Sequence, residues 1–159
     1  MLNAIEILPF SADLAHYFEQ INREWIEHMF VLEPVDERVI CEPQASIIQP
    51  GGYIWFARHP SFGICGTCAL MKKNDGSYEL TKMGVSSSAR GAKIGETLLK
   101  FVLAEIKRMQ LPAVFLLTNK RCESAIHLYL KHGFEHDPFI MQRYGQSYER
   151  CDVAMRLTR

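Results

Sequence analysis

Val85-Ser86-Ser87-Ser88-Ala89-Arg90-Gly91-Ala92-Lys93-Ile94-Gly95 decides the fold, because two different periodicities meet across it. Before it, Ser77 to Val85 reads as a strand entered from the hairpin signal Asn74-Asp75-Gly76. After it, Leu99, Val102, Leu103, Ile106 and Met109 fall on one helical face, with Glu96, Lys100, Lys107 and Arg108 largely opposite. Pro112 ends the connection, and Val114-Phe115-Leu116-Leu117 is a short apolar strand, parallel to the previous one if the helix is a crossover. Gly91 and Gly95 let backbone approach a ligand closely, and Arg90 and Lys93 add positive charge at the positive end of a helix. A pyrophosphate suits such a junction. The segment is not a Walker loop, since no Gly-Lys-Ser/Thr follows, and it lacks the glycine spacing of the dinucleotide fingerprint. Taken alone it reads equally as an ordinary strand-to-helix turn.

Working outward, Leu2 to Leu8 reads as a short first strand. Phe10-Ser11 then reads as staple and N-cap of a helix carrying Leu14, Phe18, Ile21, Trp25 and Met29. Pro34 stops that helix, and a shorter one is expected from Asp36. After the turn Pro50-Gly51-Gly52, Tyr53 to Arg58 and Phe62 to Lys72 read as strands joined through His59-Pro60-Ser61. Downstream, Glu123 to His132 is a helix closed by Gly133, and Phe134 begins a strand. A polar loop from Pro138 to Glu149 is expected to lead into a last strand around Asp152 to Leu157. The order predicts a mixed α/β sheet in a single domain over residues 1–159.

Eighteen basic residues balance 18 acidic ones, so the net charge draws the chain toward neither nucleic acid nor anionic membrane. Met1 to Phe10 lacks the basic start of a signal peptide, and Ala113 to Leu117 is too short to span a bilayer. Five scattered cysteines without a secretion signal suggest a reduced, cytoplasmic protein. Cys65-Gly66-Thr67-Cys68 has metal-motif spacing but sits in a strand pattern with no second pair, and no two histidines share a helix at ligand spacing, so no metal site is expected.

A second motif follows one strand and one helix after the loop: Ala125-Ile126-His127-Leu128-Tyr129-Leu130-Lys131-His132-Gly133-Phe134. Together the two resemble the GNAT superfamily of N-acetyltransferases. Its loop signature is Arg or Gln, two residues, Gly, one residue, Gly or Ala, and its later helix reads Ala-x-x-x-Tyr-x-x-x-Gly-Phe. Arg90 and Gly95 match the ends of the loop signature, and Ala125, Tyr129, Gly133 and Phe134 match the helix. Glu79 to Val85 looks like the family's fourth strand, which often begins with a glutamate. Lys93 departs from the signature at its first glycine. Since lysine tolerates positive φ poorly, an α-region conformation is expected there. Cys122 replaces the asparagine often found before the tyrosine helix, and Asn119 lies three residues early.

The resemblance implies a GNAT-like acyl-CoA N-acyltransferase fold, a mostly antiparallel sheet splayed at the cofactor site and flanked by helices. It implies acetyl-CoA (coenzyme A) as co-substrate, held by Met83, Gly84, Val85, Arg90, Gly91, Ala92, Lys93, Ile94, Gly95, Glu96, Asn119 and Tyr129. A backbone N–H near Met83 to Val85 would receive the thioester oxygen. Glu79 would take a proton from the amine, its strand parity placing it beside Met83 and Val85, although a glutamate at a wet strand end is the other reading. Tyr129 would donate a proton to the departing thiolate, or else simply fill the core. Trp25, Glu27 and Phe30 fall at the expected acceptor wall, together with Glu79. The expected partner is a small-molecule or peptide amine, with a homodimer admitted and neither nucleic acid nor membrane implied. Free amino acid, polyamine, antibiotic and protein N-terminus or lysine stay open as acceptors. The alternative from another class is an acyl-CoA-binding sensor or scaffold without turnover.

Overall fold

The computed structural model describes residues 4–158. In chain order these form β1 (Glu6–Pro9), α1 (Ala15–Met29), α2 (Pro34–Cys41), β2 (Tyr53–His59), β3 (Gly63–Lys72) and β4 (Tyr78–Val85). There follow α3 (Ile94–Met109), β5 (Val114–Thr118), α4 (Glu123–Lys131), β6 (Phe134–His136), α5 (Pro138–Tyr144) and β7 (Val153–Leu157). One seven-stranded sheet runs β1-β2-β3-β4-β5-β7-β6. Every neighbouring pair is antiparallel except β4 and β5, which are parallel across the α3 crossover. This is the mixed sheet expected. No helix among the described residues is long and apolar enough to cross a membrane.

Apolar spacing places the two helical layers. In α1, Phe18, Ile21 and Ile26 are buried, and Phe18 packs with Val39 and Ile40 of α2 against Ile54, Phe56 and Ala69 of the sheet. On the opposite face Leu98, Leu99, Val102 and Ile106 of α3 meet Trp55, Cys68, Leu70 and Leu116, and α4 adds Tyr129 to the same core. Asp75 fixes the β3–β4 hairpin by accepting from the Ser77 N–H at 2.9 Å, while Gly76 supplies the φ of +88° the turn requires.

Some boundaries differ from expectation, each for a local reason. β1 starts at Glu6, and the expected positions Leu2 and Asn3 lie outside the described residues. Ser11 makes no side-chain cap, because a 3₁₀ turn (Ala12–Leu14) precedes α1. The second helix starts at Pro34 rather than Asp36, since Glu33 and Asp36 form a reciprocal capping box with proline at the first turn. The expected polar loop from Pro138 is instead helix α5. Asp137 caps it by accepting from the N–H groups of Phe139 (2.8 Å) and Ile140 (3.3 Å). Tyr144 of that helix stacks on Phe115 at 4.5 Å, which anchors the segment to the sheet.

The feature that shapes the site is a defect in the sheet. Between the pairs Ala69↔Thr81 and Thr67↔Gly84, β4 carries one residue more than β3, and Lys82 there adopts φ +52°. β5 pairs with β4 only through Tyr78, Leu80 and the intervening Glu79. Beyond Leu80 the two strands part and leave a V-shaped opening.

Candidate active site

A cleft of about 350 Å³ occupies that opening, a volume in the range of small-molecule sites. It runs from Arg90 and Gly95 at the start of α3, past β4 and β5, to Trp25 and Phe30 at the end of α1. Gly84 forms part of its floor. A Cβ there would lie 2.5 Å from Trp25 Cδ1, so only glycine lets α1 pack this closely on the bulged strand. Ser86 gives its N–H to the Cys65 carbonyl at 2.8 Å, so the alternation of a strand turns the Val85 N–H away from β3 and toward the gap.

At the wide end, α3 begins without a side-chain cap, leaving its first amides without intrahelical acceptors. Gly91 adopts φ +88° in the loop before it. The α-region geometry expected of Lys93 is not what the chain adopts: Lys93 is left-handed at φ +61°, ψ +24°. It stands at the N-cap, where an exposed residue turns the loop into the helix, and it takes the conformation the family's glycine would take more easily. Concave runs of N–H groups of this kind bind anions. Arg90 lines the cleft here.

Of the predicted cofactor positions, Met83, Gly84, Val85, Arg90, Gly95, Asn119 and Tyr129 line the cleft. Gly91, Ala92, Lys93, Ile94 and Glu96 do not. Ile94 is buried against Ala57 and Cys65 with Ala92 packed on the same cluster, and Glu96 pairs with Lys131 of α4 (2.8 Å) and with His132 just past its end (2.7 Å). These residues present backbone at the helix start, not side chains to the cleft. Asn119 is tied to the β7 side, donating to the Arg150 carbonyl at 2.7 Å.

Tyr129 is buried on α4, packs edge-on against Phe134 at 5.7 Å, and lines the cleft. Among the described residues nothing hydrogen-bonds its hydroxyl. Burial pushes its pKa well above the ordinary tyrosine value, so the hydroxyl keeps its proton at neutral pH.

Glu79 is placed otherwise than its parity predicts. The bulge at Lys82 intervenes, so Glu79 pairs with Met71 on the α2 side of the sheet while Met83 packs into the core on the α3 side. Its buried carboxylate accepts from the Tyr148 hydroxyl at 3.4 Å and from Lys73 Nζ at 3.5 Å. It does not line the cleft. Tyr148 does, and so stands between the two. Glu27 also lies off the cleft, exposed and 3.8 Å from Arg23. Two residues along a helix turn a side chain to nearly the opposite face, so Glu27 cannot share the wall with Trp25. Trp25 and Phe30 do line it.

A buried ionic network, not expected from the sequence, lies beneath the Trp25 and Phe30 end of the cleft. Lys82 Nζ lies 3.0 Å from Asp36 and donates to the Tyr148 hydroxyl at 3.3 Å. Arg150 binds the same aspartate through both Nη atoms, at 2.6 and 2.8 Å, and reaches Glu33 at 3.2 Å. Burial pushes the Asp36 carboxyl up, but the Arg150 hydrogen bonds and the Lys82 charge outweigh it and hold it at about 2. Burial likewise works against charge on Lys82, yet its anionic neighbours raise its pKa above the ordinary lysine value. Asp36 and Arg150 are 114 residues apart in sequence. The only local signal was a lysine inside a strand pattern.

A splayed sheet with a glycine floor, an anion cradle at one end and a cleft-facing tyrosine defines an acyltransferase-type α/β scaffold. Residues 50–136, more than half of the chain, match the family described as Acetyltransferase (GNAT) domain. The chain belongs to the GNAT acetyltransferase family. No curated protein matches its sequence. Among solved structures it is similar to an acetyltransferase of the GNAT family from Staphylococcus aureus Mu50. That match has 20% identity and a TM-score of 0.83, and it covers 97% of this chain and 98% of that one. It is also similar to the PaiA N-acetyltransferase from Thermoplasma acidophilum in complex with coenzyme A, at 17% identity and TM-score 0.70, over 99% and 100%. An acetyltransferase from Streptococcus agalactiae 2603 matches at 15% identity and TM-score 0.72, over 99% and 100%. At these identities the likeness is one of fold.

Proposed function

We propose that the protein transfers an acetyl group from acetyl-coenzyme A to the nitrogen of an amine within a ternary complex. The observation that carries this reading is the opening between β4 and β5, with unpaired amides of α3 at one end and an unpartnered tyrosine hydroxyl beside it. The residues fit the co-substrate: the α3 start and Arg90 suit a pyrophosphate, and the narrow gap suits an extended chain. The PaiA N-acetyltransferase, similar in fold, is in complex with coenzyme A.

In the reaction the amine nitrogen bonds to the thioester carbon, and the carbonyl electron pair moves onto oxygen. The Val85 N–H faces the gap as a donor to that oxygen. Collapse breaks the C–S bond and leaves the electron pair on sulfur. The Tyr129 phenol holds its proton more tightly than a thiol near pH ~8.5, so it stabilises the leaving thiolate by a hydrogen bond rather than by full transfer. The proton lost by the amine passes to the Tyr148 oxygen as the Tyr148 proton moves to Glu79, and the thiolate is finally protonated from solvent. Glu79 thus acts through Tyr148 rather than on the amine directly. A sensor without turnover has no use for a cleft-facing phenol.

Gly95→Trp tests the co-substrate site. Gly95 lines the cleft, and the nearest atom to an added Cβ is 3.7 Å away, so the indole enters the cleft without backbone strain. Gly91 is a poorer choice, because its φ of +88° would strain any side chain. Acetyl-CoA at 100 times its Kd should raise the Tm of the unsubstituted protein by about 5–10 °C and that of Gly95→Trp hardly at all. An equal shift in both proteins places the co-substrate elsewhere and removes this reading.

Glu79→Gln keeps the side-chain shape but cannot accept a proton. The rate of thiol release in the presence of an amine should fall on the order of a hundredfold at neutral pH and partly recover as pH rises. Tyr148→Phe should show the same defect, and the double variant should be no worse than either single one. A wild-type pH profile in Glu79→Gln would make the carboxylate structural.

A further inference from the structure

The end of the cleft away from the α3 cradle is built around one ring. Phe30 stands edge-on to Trp25 at 6.5 Å, and two guanidinium groups lie over it, that of Arg121 at 5.0 Å and that of Arg150 at 5.7 Å from the ring centroid. The two arginines differ in their partners. Both Nη atoms of Arg150 are spent on Asp36, and one also meets Glu33. Arg121, in the turn between β5 and α4, has no carboxylate within ion-pair distance among the described residues. Its backbone N–H is held by Asn119 Oδ1 at 2.8 Å, so the turn that carries it is fixed while its side-chain donors stay available.

The charges around this end are not all paired. Lys82 and Arg150 are offset by Asp36 and Glu33. Among the described residues Glu123, in the first turn of α4, is the one carboxylate that lines the cleft. Arg121 is the cation at this end with no ion-pair partner among the described residues, and it stands where an acceptor would enter. A guanidinium stacked on an aromatic face keeps its N–H edge turned outward, which is the geometry for gripping a carboxylate.

Resting on the acetyltransferase reading of this cleft, we infer that the acceptor is an amine that also bears a carboxylate, an amino-acid-like acid, and that Arg121 reads that carboxylate against Phe30. A polyamine or a polycationic antibiotic would offer the unpaired guanidinium of Arg121 no anion to bind. Arg90 serves the opposite end of the cleft, at the helix start, and the two arginines divide the site between co-substrate and acceptor.

The test compares matched amines with and without the acid: phenylalanine against phenethylamine, and lysine against cadaverine, with spermidine as a polycation. Thiol release from acetyl-CoA is measured, and so is binding of each amine to the coenzyme A complex through quenching of tryptophan fluorescence. The acids should be preferred by on the order of tenfold or more in kcat/KM, mostly through KM. Arg121→Gln should bring that ratio close to one, and Arg121→Lys should restore part of it. Equal or better use of cadaverine or spermidine overturns the inference and leaves the transferase reading standing. A rise in the KM for acetyl-CoA in Arg121→Gln, with the acid preference intact, assigns Arg121 to the co-substrate and also overturns it. Binding of the acids that is lost in Arg121→Gln, without thiol release from any amine, supports the acid site and sinks the transferase reading instead.

Discussion

Asp36→Ala is expected to lower the unfolding free energy by about 3–5 kcal/mol, because it leaves buried Lys82 without its carboxylate and Arg150 with Glu33 alone. The Lys82 and Arg150 side chains are only 2% and 15% exposed, and Asp36 is the carboxylate they share. For a domain of this size that loss corresponds to a Tm lower by on the order of 10 °C, readable by circular dichroism. The pH dependence gives an independent arm. The Asp36 carboxyl sits at about 2 instead of 3.8, a depressed value, so its stabilisation is complete above the unfolded value and is lost as pH falls through the folded one. The stabilities of the two proteins should therefore converge between pH 3.8 and about 2. A difference below about 1 kcal/mol at neutral pH would mean that the two cations find other partners, and the network would not be what holds this end of the cleft.

Tyr129→Phe should reduce turnover by roughly ten- to a thousandfold while leaving stability and acetyl-CoA affinity near those of the parent. The substitution removes one oxygen and keeps the ring against Phe134 and the α3 core. A buried tyrosine whose hydroxyl bonded to protein would instead lose about 1–3 kcal/mol on this change. Here the hydroxyl has no such partner among the described residues, so the two outcomes separate cleanly. Melting temperature, cofactor affinity and turnover measured on one variant decide the matter. Full activity would remove Tyr129 from the chemistry, and with it the clearest argument for an enzyme over a sensor.

The parts of this protein that were legible in sequence are those written in local punctuation. Asn74 to Gly76, Pro112 and Gly133 mark turns, and the apolar period of α3 with the short run of β5 made the parallel crossover readable. Tyr129 could be placed because its helix is bounded by residues that can do little else. What failed did so where one residue resets the geometry of others. The extra residue near Lys82 inverts the parity of everything after it in β4, and no periodicity announces a bulge. Lys93 departs from its steric preference because the start of α3 imposes the left-handed conformation on it. Helix α5 is announced only by its start pair Asp137-Pro138, which the polar composition of the segment masks. The partnership of Asp36 with Arg150 depends on how distant elements fold together, and nothing near either residue foretells the other.

The three-pair contact between β4 and β5 has a mechanical meaning. It is a seam between a four-stranded plate and a three-stranded one, and so short a seam is a poor restraint on the angle between them. Two electrostatic straps span it, one on each side of the sheet. Asp36 and Glu33 reach from the first plate to Arg150 beside the second, and Glu96 reaches from α3 to Lys131 of α4 and to His132 just past its end. Beyond Leu80 the two plates are thus joined by ion pairs and by a shared apolar core, not by the backbone ladder. The two straps differ in their exposure to solvent: salt screens the open Lys131–Glu96 pair, whereas the buried Asp36–Arg150 pair is screened little.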